Sequence, residues 1–291
     1  MNLGSLILSG IAIGCIYALM ALAINVVFSA QRIVNFAQGD IAMLSGLVAA
    51  SLISAWAWPY WAGVIGAALV AAALGILIER VAVRPLGSDE TSIAWILSIF
   101  AVAILLSNGM VLAFGTEPRQ LPSLASARPY SLGDLQIVPD QLVAIAGTVL
   151  FMVCFHLLQT RTLYGKALRA CSRDPQMAAM LGIPVRRFVA AAFALCGVMG
   201  TLAAMLVGPL TFVSPQLGFM LGIKGFAAAA LGGLGSFRGA LAGGIILGVA
   251  ETLAATYIGS GIKESVALLA LCVILVFRPT GIWGEQHVAK L

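Results

Sequence analysis

Residues 41–78 read IAMLSGLVAASLISAWAWPYWAGVIGAALVAAALGILI, thirty-eight consecutive positions without an Asp, Glu, Lys or Arg. About 20 apolar residues in a helix cover a bilayer core roughly 30 Å thick. The stretch is too long for one crossing, and Trp58-Pro59-Tyr60-Trp61 divides it near the middle. Proline interrupts a helix, and the aromatics suit the headgroup level. The segment therefore reads as two membrane spans joined by a tight turn.

Outward from it the pattern repeats. Charge-free stretches also cover 1–31, 91–116, 141–160 and 188–223, and with 41–78 they hold 151 of the 291 residues. The chain is 61% hydrophobic and 9% charged, against about 25% charged in an ordinary soluble domain. A soluble protein of this size cannot hide so much apolar surface, and a disordered chain would not carry it. The expected fold is all-α, a polytopic integral membrane protein with one transmembrane domain over 1–291. Spans are expected at 5–28, 40–57, 61–79, 92–114, 140–159, 188–208, 219–236, 239–258 and 264–278, eight or nine in all. The segment 219–236 stands apart, because it carries Lys224, Gly222, Gly225 and Gly232-Gly233 and can be a broken or re-entrant helix. A broken or re-entrant helix is tolerated only where protein or a wet cavity satisfies its backbone.

No Lys or Arg precedes Arg32 and another span follows, so 4–28 reads as a retained helix and not a signal peptide. Five scattered cysteines (Cys15, Cys154, Cys171, Cys196, Cys272) form no CxxC pair and read as small packing residues. With nine crossings and the N-terminus outside, twelve Lys and Arg fall on the cytoplasmic side, including Arg32, Arg169, Arg238 and Lys290. Only Arg119, Arg128 and Lys263 fall outside. This is the positive-inside bias, and it puts the C-terminus in the cytoplasm. Were 219–236 not to cross, the count would fall to ten against five.

The inner loop 160–187 holds six basic residues and one acid, a net +5 that equals the formal charge of the whole chain. The basic pI thus belongs to one loop beside a membrane, not to a nucleic-acid-binding surface. Within the loop, Asp174 suits an N-cap, Pro175 the first helical position, Gly182 the C′ position, and Pro184 blocks continuation. The result is a short helix whose Met177, Met180 and Leu181 share one apolar face. Such a helix in a basic loop has the character of a docking element for a soluble partner.

Ionisable groups inside spans are functional candidates. Lys224 and Glu251 fall on adjacent expected helices, where a buried pair, an interfacial position for each, or substrate contact are all open. Asn25, Ser98, Ser107 and Asn108 can line a wet path or bond between helices. Arg32 and Asp40 are expected at the inner interface. His156 and His287 are too isolated for a metal site or a proton relay. Gly235, Gly239 and Gly243 recur every four residues, as do Gly244 and Gly248, which predicts smooth strips for close helix packing. No nucleophile–base pair or carboxylate dyad is apparent, and there is no GxxxxGK[ST] phosphate loop.

Three segments carry a resemblance. Gly165-Lys166-Ala167-Leu168-Arg169-Ala170, with Asp174, Ala178-Ala179 and Gly182-Ile183, resembles a divergent coupling loop of ABC importer permeases. Arg32-Ile33-Val34-Asn35-Phe36-Ala37-Gln38-Gly39-Asp40 is similar to the motif between the first two spans of branched-chain amino acid permeases, with Gln38 where His is commoner. Gly232-Gly233-Leu234-Gly235-Ser236-Phe237-Arg238-Gly239-Ala240, then Gly243-Gly244 and Gly248, resembles the glycine-rich segment of that family.

The resemblance implies a non-catalytic permease subunit of an ATP-driven importer in a bacterial inner membrane. Arg169, Asp174, Pro175, Met177, Ala178, Met180, Leu181 and Gly182 would then meet an ATPase. Asn25, Asn108, Lys224 and Glu251 are candidates for the path. The implied partners are a second homologous permease, two cytoplasmic ATPases that bind the ATP and Mg, and an extracytoplasmic binding protein. The chain itself is expected to bind no cofactor, metal or nucleic acid. Branched-chain or other aliphatic amino acids are the expected cargo, with urea or short amides as the near alternative. From another class, an ion-coupled secondary transporter would call for intramembrane carboxylates and repeats. Glu251 is the one acid well inside a span, and no repeat is evident.

Overall fold

A computed structural model describes residues 3–86, 93–125, 130–132, 135–278 and 280–284. Arg128, His287 and Lys290 lie outside the described residues. The first helix, α1 (Leu3–Gln31), has no polar face and is buried along most of its length. A helix that is apolar all round belongs inside a bundle, and α1 is its central post. The other helices are α2 (Gln38–Ala50), α3 (Tyr60–Ile78), α4 (Ala94–Phe114), α5 (Pro139–Arg161), α6 (Leu163–Arg173), α7 (Pro175–Met180), α8 (Val185–Val207), α9 (Leu217–Gly232), α10 (Phe237–Tyr257) and α11 (Lys263–Phe277). Single π turns extend α2 to Ala55 and α3 to Val83. Among the described residues eight helices are long and apolar enough to cross a membrane, and α9, at 16 residues, is a shorter apolar one.

Helix directions follow from who meets whom. Gly10 lies on Val249, Gly14 on Ile245, and Asn25 reaches Ser236, so α1 and α10 are antiparallel. Gly243 lies on Ala228 and Lys224 meets Glu251, so α9 and α10 form an antiparallel hairpin. One end of the bundle gathers Arg32, α6, α7, the α9–α10 turn and residues 280–284. The other end gathers Trp58-Pro59, the 115–138 connection and the α8–α9 and α10–α11 connections. Short as it is, α9 completes the return of the chain to the first end after the irregular 208–216 segment. The expected span 219–236 stops early, because Gly233 and Gly235 turn the chain with φ of 106° and 84°. Both values lie in the region that glycine enters without steric cost.

Most of the expected spans are present within a few residues. Four features differ. First, α2 does not start at the inner surface. Residues 32–37 are irregular and mostly buried, and the α2 start is held at mid-bundle, where Gln38 Nε2 donates to the Cys196 carbonyl at 2.9 Å. Cys196 Sγ returns a bond to Gln38 Oε1. Asp40, expected at the interface, is therefore buried at mid-bundle beside Gly218. Non-helical backbone survives at this depth only because protein surrounds it. Second, α6 precedes the short helix α7, started by Thr162, whose side chain accepts from Gly165 N–H. Third, the loop 115–139 holds a small antiparallel hairpin, β1 (Tyr130–Leu132) with β2 (Leu135–Ile137). Fourth, Gly235 belongs to the turn and not to the glycine strip on α10.

Candidate functional site

The short helix follows its local code. Asp174 Oδ1 accepts from Met177 N–H at 2.9 Å, and Pro175 stands in the first turn. At the far end Gly182 has φ of 78°, and the N–H groups of Gly182 and Ile183 return to the Ala179 and Ala178 carbonyls. A left-handed residue at this position closes a helix and satisfies its last carbonyls. Met177, Met180 and Leu181 are 58%, 84% and 75% exposed, large apolar groups held out from the surface. Ala178 is different. It is 2% exposed and turned into its own chain, so it supports the helix from behind and is not part of the outward face.

Helix α6 supplies the base. Gly165 packs on the α5 backbone at Leu158 and Gln159, which lets α6 fold sharply back from α5. Cys171 is buried, and that burial pushes its thiol above the ordinary range against an opposing backbone hydrogen bond. Arg169 and Arg173 are exposed and line a recess of about 380 Å³ together with Arg32, Ser172 and Ser236.

At the opposite end is a second constellation. Lys224 Nζ donates to Glu251 Oε1 at 2.6 Å, with the lysine side chain 12% exposed and the glutamate fully buried. The same ammonium lies 5.7 Å from the Tyr17 ring centre, and Lys263 Nζ stands 4.0 Å from the shared carboxylate oxygen. Lys224 lines a cavity of about 530 Å³ together with Ile13, Ile16, Leu221, Lys263 and Glu264. Tyr17, Lys263 and Glu264 had not stood out in the sequence. Their spacing gives no signal, since the helices that bring them together are far apart in the chain.

The remaining candidates separate. Asn25 spends its amide on the α9–α10 turn, Nδ2 donating to the Ser236 carbonyl at 3.0 Å and Oδ1 accepting from Gly235 N–H at 3.1 Å. Asn108 is exposed on α4 and bonds back to the Ile104 carbonyl of its own helix. Neither lines the cavity with Lys224. Ser98 is likewise engaged, donating to the Ala82 carbonyl. On α10, Gly239 and Gly243 face α9, whereas Gly244 and Gly248 face α1 at Ala18 and Gly14. The two strips serve two different neighbours. The glycines of α1, Gly10 and Gly14, complete the second contact.

Comparison with known proteins places the fold and the family. A family model for the branched-chain amino acid transport system permease component matches residues 6–277. The chain is 35% identical to the high-affinity branched-chain amino acid transport system permease protein LivH of Escherichia coli K12, over 97% of this chain and 96% of that one. It is 33% identical to the corresponding protein BraD of Pseudomonas aeruginosa, over 98% and 97%. In fold it is similar to a chain of PsaBC from Streptococcus pneumoniae in complex with Fab, with a TM-score of 0.52, 14% identity, and coverage of 94% of this chain and 92% of that one. Match length and identity together make this chain a member of the branched-chain amino acid transport system permease family.

Proposed function

We propose that this chain is the membrane subunit of an ATP-driven importer for branched-chain and other aliphatic amino acids, forming half of the translocation pathway. The whole chain serves as one transmembrane domain, and its loop 160–187 is the coupling element. The observation that carries the reading is α7, a helix capped at both ends that holds Met177, Met180 and Leu181 outward at the end of the bundle richest in Arg and Lys. That end faces the cytoplasm by the positive-inside rule, with the N-terminus outside and the C-terminus inside a bacterial inner membrane.

In this reading two cytoplasmic ATPase subunits hold the ATP and Mg, and this chain holds neither. Met177, Met180 and Leu181 seat in a groove on one ATPase, while Arg169 and Arg173 orient it from the rim. Buried apolar anchors carry most of such an affinity and rim charges mainly steer. A second, homologous permease completes the pathway, and an extracytoplasmic binding protein delivers the amino acid at the end that carries Lys224 and Glu264. The relatives named for branched-chain amino acid transport support the cargo.

The test is uptake by proteoliposomes holding this chain with the second permease and the two ATPases. Leucine should accumulate only with internal access to ATP and with the binding protein present. Collapse of all ion gradients should leave the initial rate unchanged. Uptake driven by a gradient without ATP would contradict the proposal.

A further inference from the structure

Lys224 has more hydrogen-bonding capacity than its known partner uses. An ammonium has three donors. Glu251 takes one, the Tyr17 ring lies beside the charge, and the lysine still reaches the wall of the 530 Å³ cavity. Glu251 is behind it, fully buried, and Lys263 stands at the limit of ion-pair distance from the same oxygen. The arrangement is a cation held by a buried carboxylate at the wall of a partly open cavity.

Part of the cavity wall is aliphatic, formed by Ile13, Ile16 and Leu221, and Ser9, Gln141 and Thr211 add polar groups to the same lining. Glu264, exposed at the start of α11, lines the same cavity and is in no ion pair among the described residues. A fixed cation, an accessible carboxylate and an apolar wall are the three features that a free α-amino acid with an aliphatic side chain presents in reverse. A cavity of a few hundred Å³ is ample for such a ligand. We infer that this cavity is a binding site for a zwitterionic aliphatic amino acid, with Lys224 taking the α-carboxylate, Glu264 the α-ammonium, and Ile13, Ile16 and Leu221 the side chain. The inference rests on the cargo proposed above. It adds that recognition takes place within one permease chain, at the end opposite α7.

Glu251 is then a positioning residue. It cannot meet the ligand, because it is covered by Lys224. Its carboxylate holds the ammonium in place through the 2.6 Å contact, which an apolar pocket floor would not do.

Met220 lines the same cavity and is half-buried, so a cysteine there reports occupancy. In the assembled complex, with the native cysteines replaced and Met220→Cys introduced, labelling by a small water-soluble thiol reagent should slow about tenfold at saturating leucine. Valine and isoleucine should protect as well. Isopentylamine, which lacks the carboxylate, and 4-methyl-2-oxopentanoate, which lacks the amine, should not. Adding Glu264→Gln, an exposed change that leaves the bundle intact, should shift half-protection to about tenfold higher leucine, the cost of one charged hydrogen bond. The inference is overturned if a complex that imports leucine shows equal labelling with and without it, or if the decarboxylated amine protects equally well. A correctly assembled complex that does not import leucine would refute the cargo, and this inference with it.

Discussion

The ammonium of Lys224 on α9 and the carboxylate of Glu251 on α10 meet at 2.6 Å inside the bundle, the acid wholly hidden from solvent and the base nearly so. Removing one partner strands a charge in a medium of low dielectric constant, which costs about 3–5 kcal/mol in buried pairs. Lys224→Met or Glu251→Leu alone should therefore reduce the folded yield in detergent and lower the Tm. The double variant removes both charges and should regain most of that stability. It should still fail to transport if Lys224 also serves the cargo. Two single variants with wild-type Tm would show that the contact contributes nothing.

The α1–α10 contact gives a second expectation. A Cβ on Gly244 would stand 2.5 Å from the backbone nitrogen of Ala18, too close for any side chain without separating the helices. Small residues let membrane helices approach in this way, since packing is the main force between them. Gly244→Val should cost more than about 3 kcal/mol, beyond the usual range for overpacking, because the obstacle is backbone. Gly109 on α4 has nothing within 4 Å, and Gly109→Ala should be neutral or gain about 0.5–1 kcal/mol of helix propensity. Thermal unfolding of the two variants side by side checks the contrast.

Legibility varied with the range of the interaction. Helix α7 is specified by Asp174, Pro175, Gly182 and Pro184, all within one loop, and its start and stop could be read directly. The membrane spans other than 219–236 are written in runs of apolar residues and are as plain. Asp40 was misplaced because the depth of α2 is fixed by Gln38 meeting Cys196 on α8, 158 residues away. Asn25 was read as a candidate for the path, yet its amide is committed to Gly235 and Ser236, a bond no local pattern announces. Helix α6 is absent from the sequence reading, which takes 160–187 as one basic loop, although Thr162 and Gly165 form its start signal.

Orientation is testable with reporters. Fusions after Leu86, Ser131, Asp174 and Gly261 should read cytoplasmic, external, cytoplasmic and external. The bias of Arg and Lys toward the α7 end supports this sense. A cytoplasmic signal at Ser131 would reverse the first half of the map.

Three substitutions in the loop should separate support from contact. Asp174→Ala removes the cap bond to Met177 and should cost about 1 kcal/mol of helix stability, weakening ATPase co-purification in part. Ala178→Glu buries a charge against the chain itself and should disorder the loop, with increased proteolysis between residues 162 and 184. Met180→Glu changes only the outward face. It should leave membrane insertion and proteolysis unchanged while abolishing ATPase retention and leucine uptake.

The central claim, that α7 is where ATP hydrolysis is transmitted to this chain, is tested most directly by cross-linking in the assembled, transporting complex. With the native cysteines replaced, Met180→Cys should form a cross-link to an ATPase subunit with a short bifunctional thiol reagent, and the yield should change between nucleotide-free and ATP-bound states. Phe212→Cys, exposed at the opposite end, should form none. A complex that hydrolyses ATP and imports leucine with no cross-link from either Met177→Cys or Met180→Cys would contradict the account.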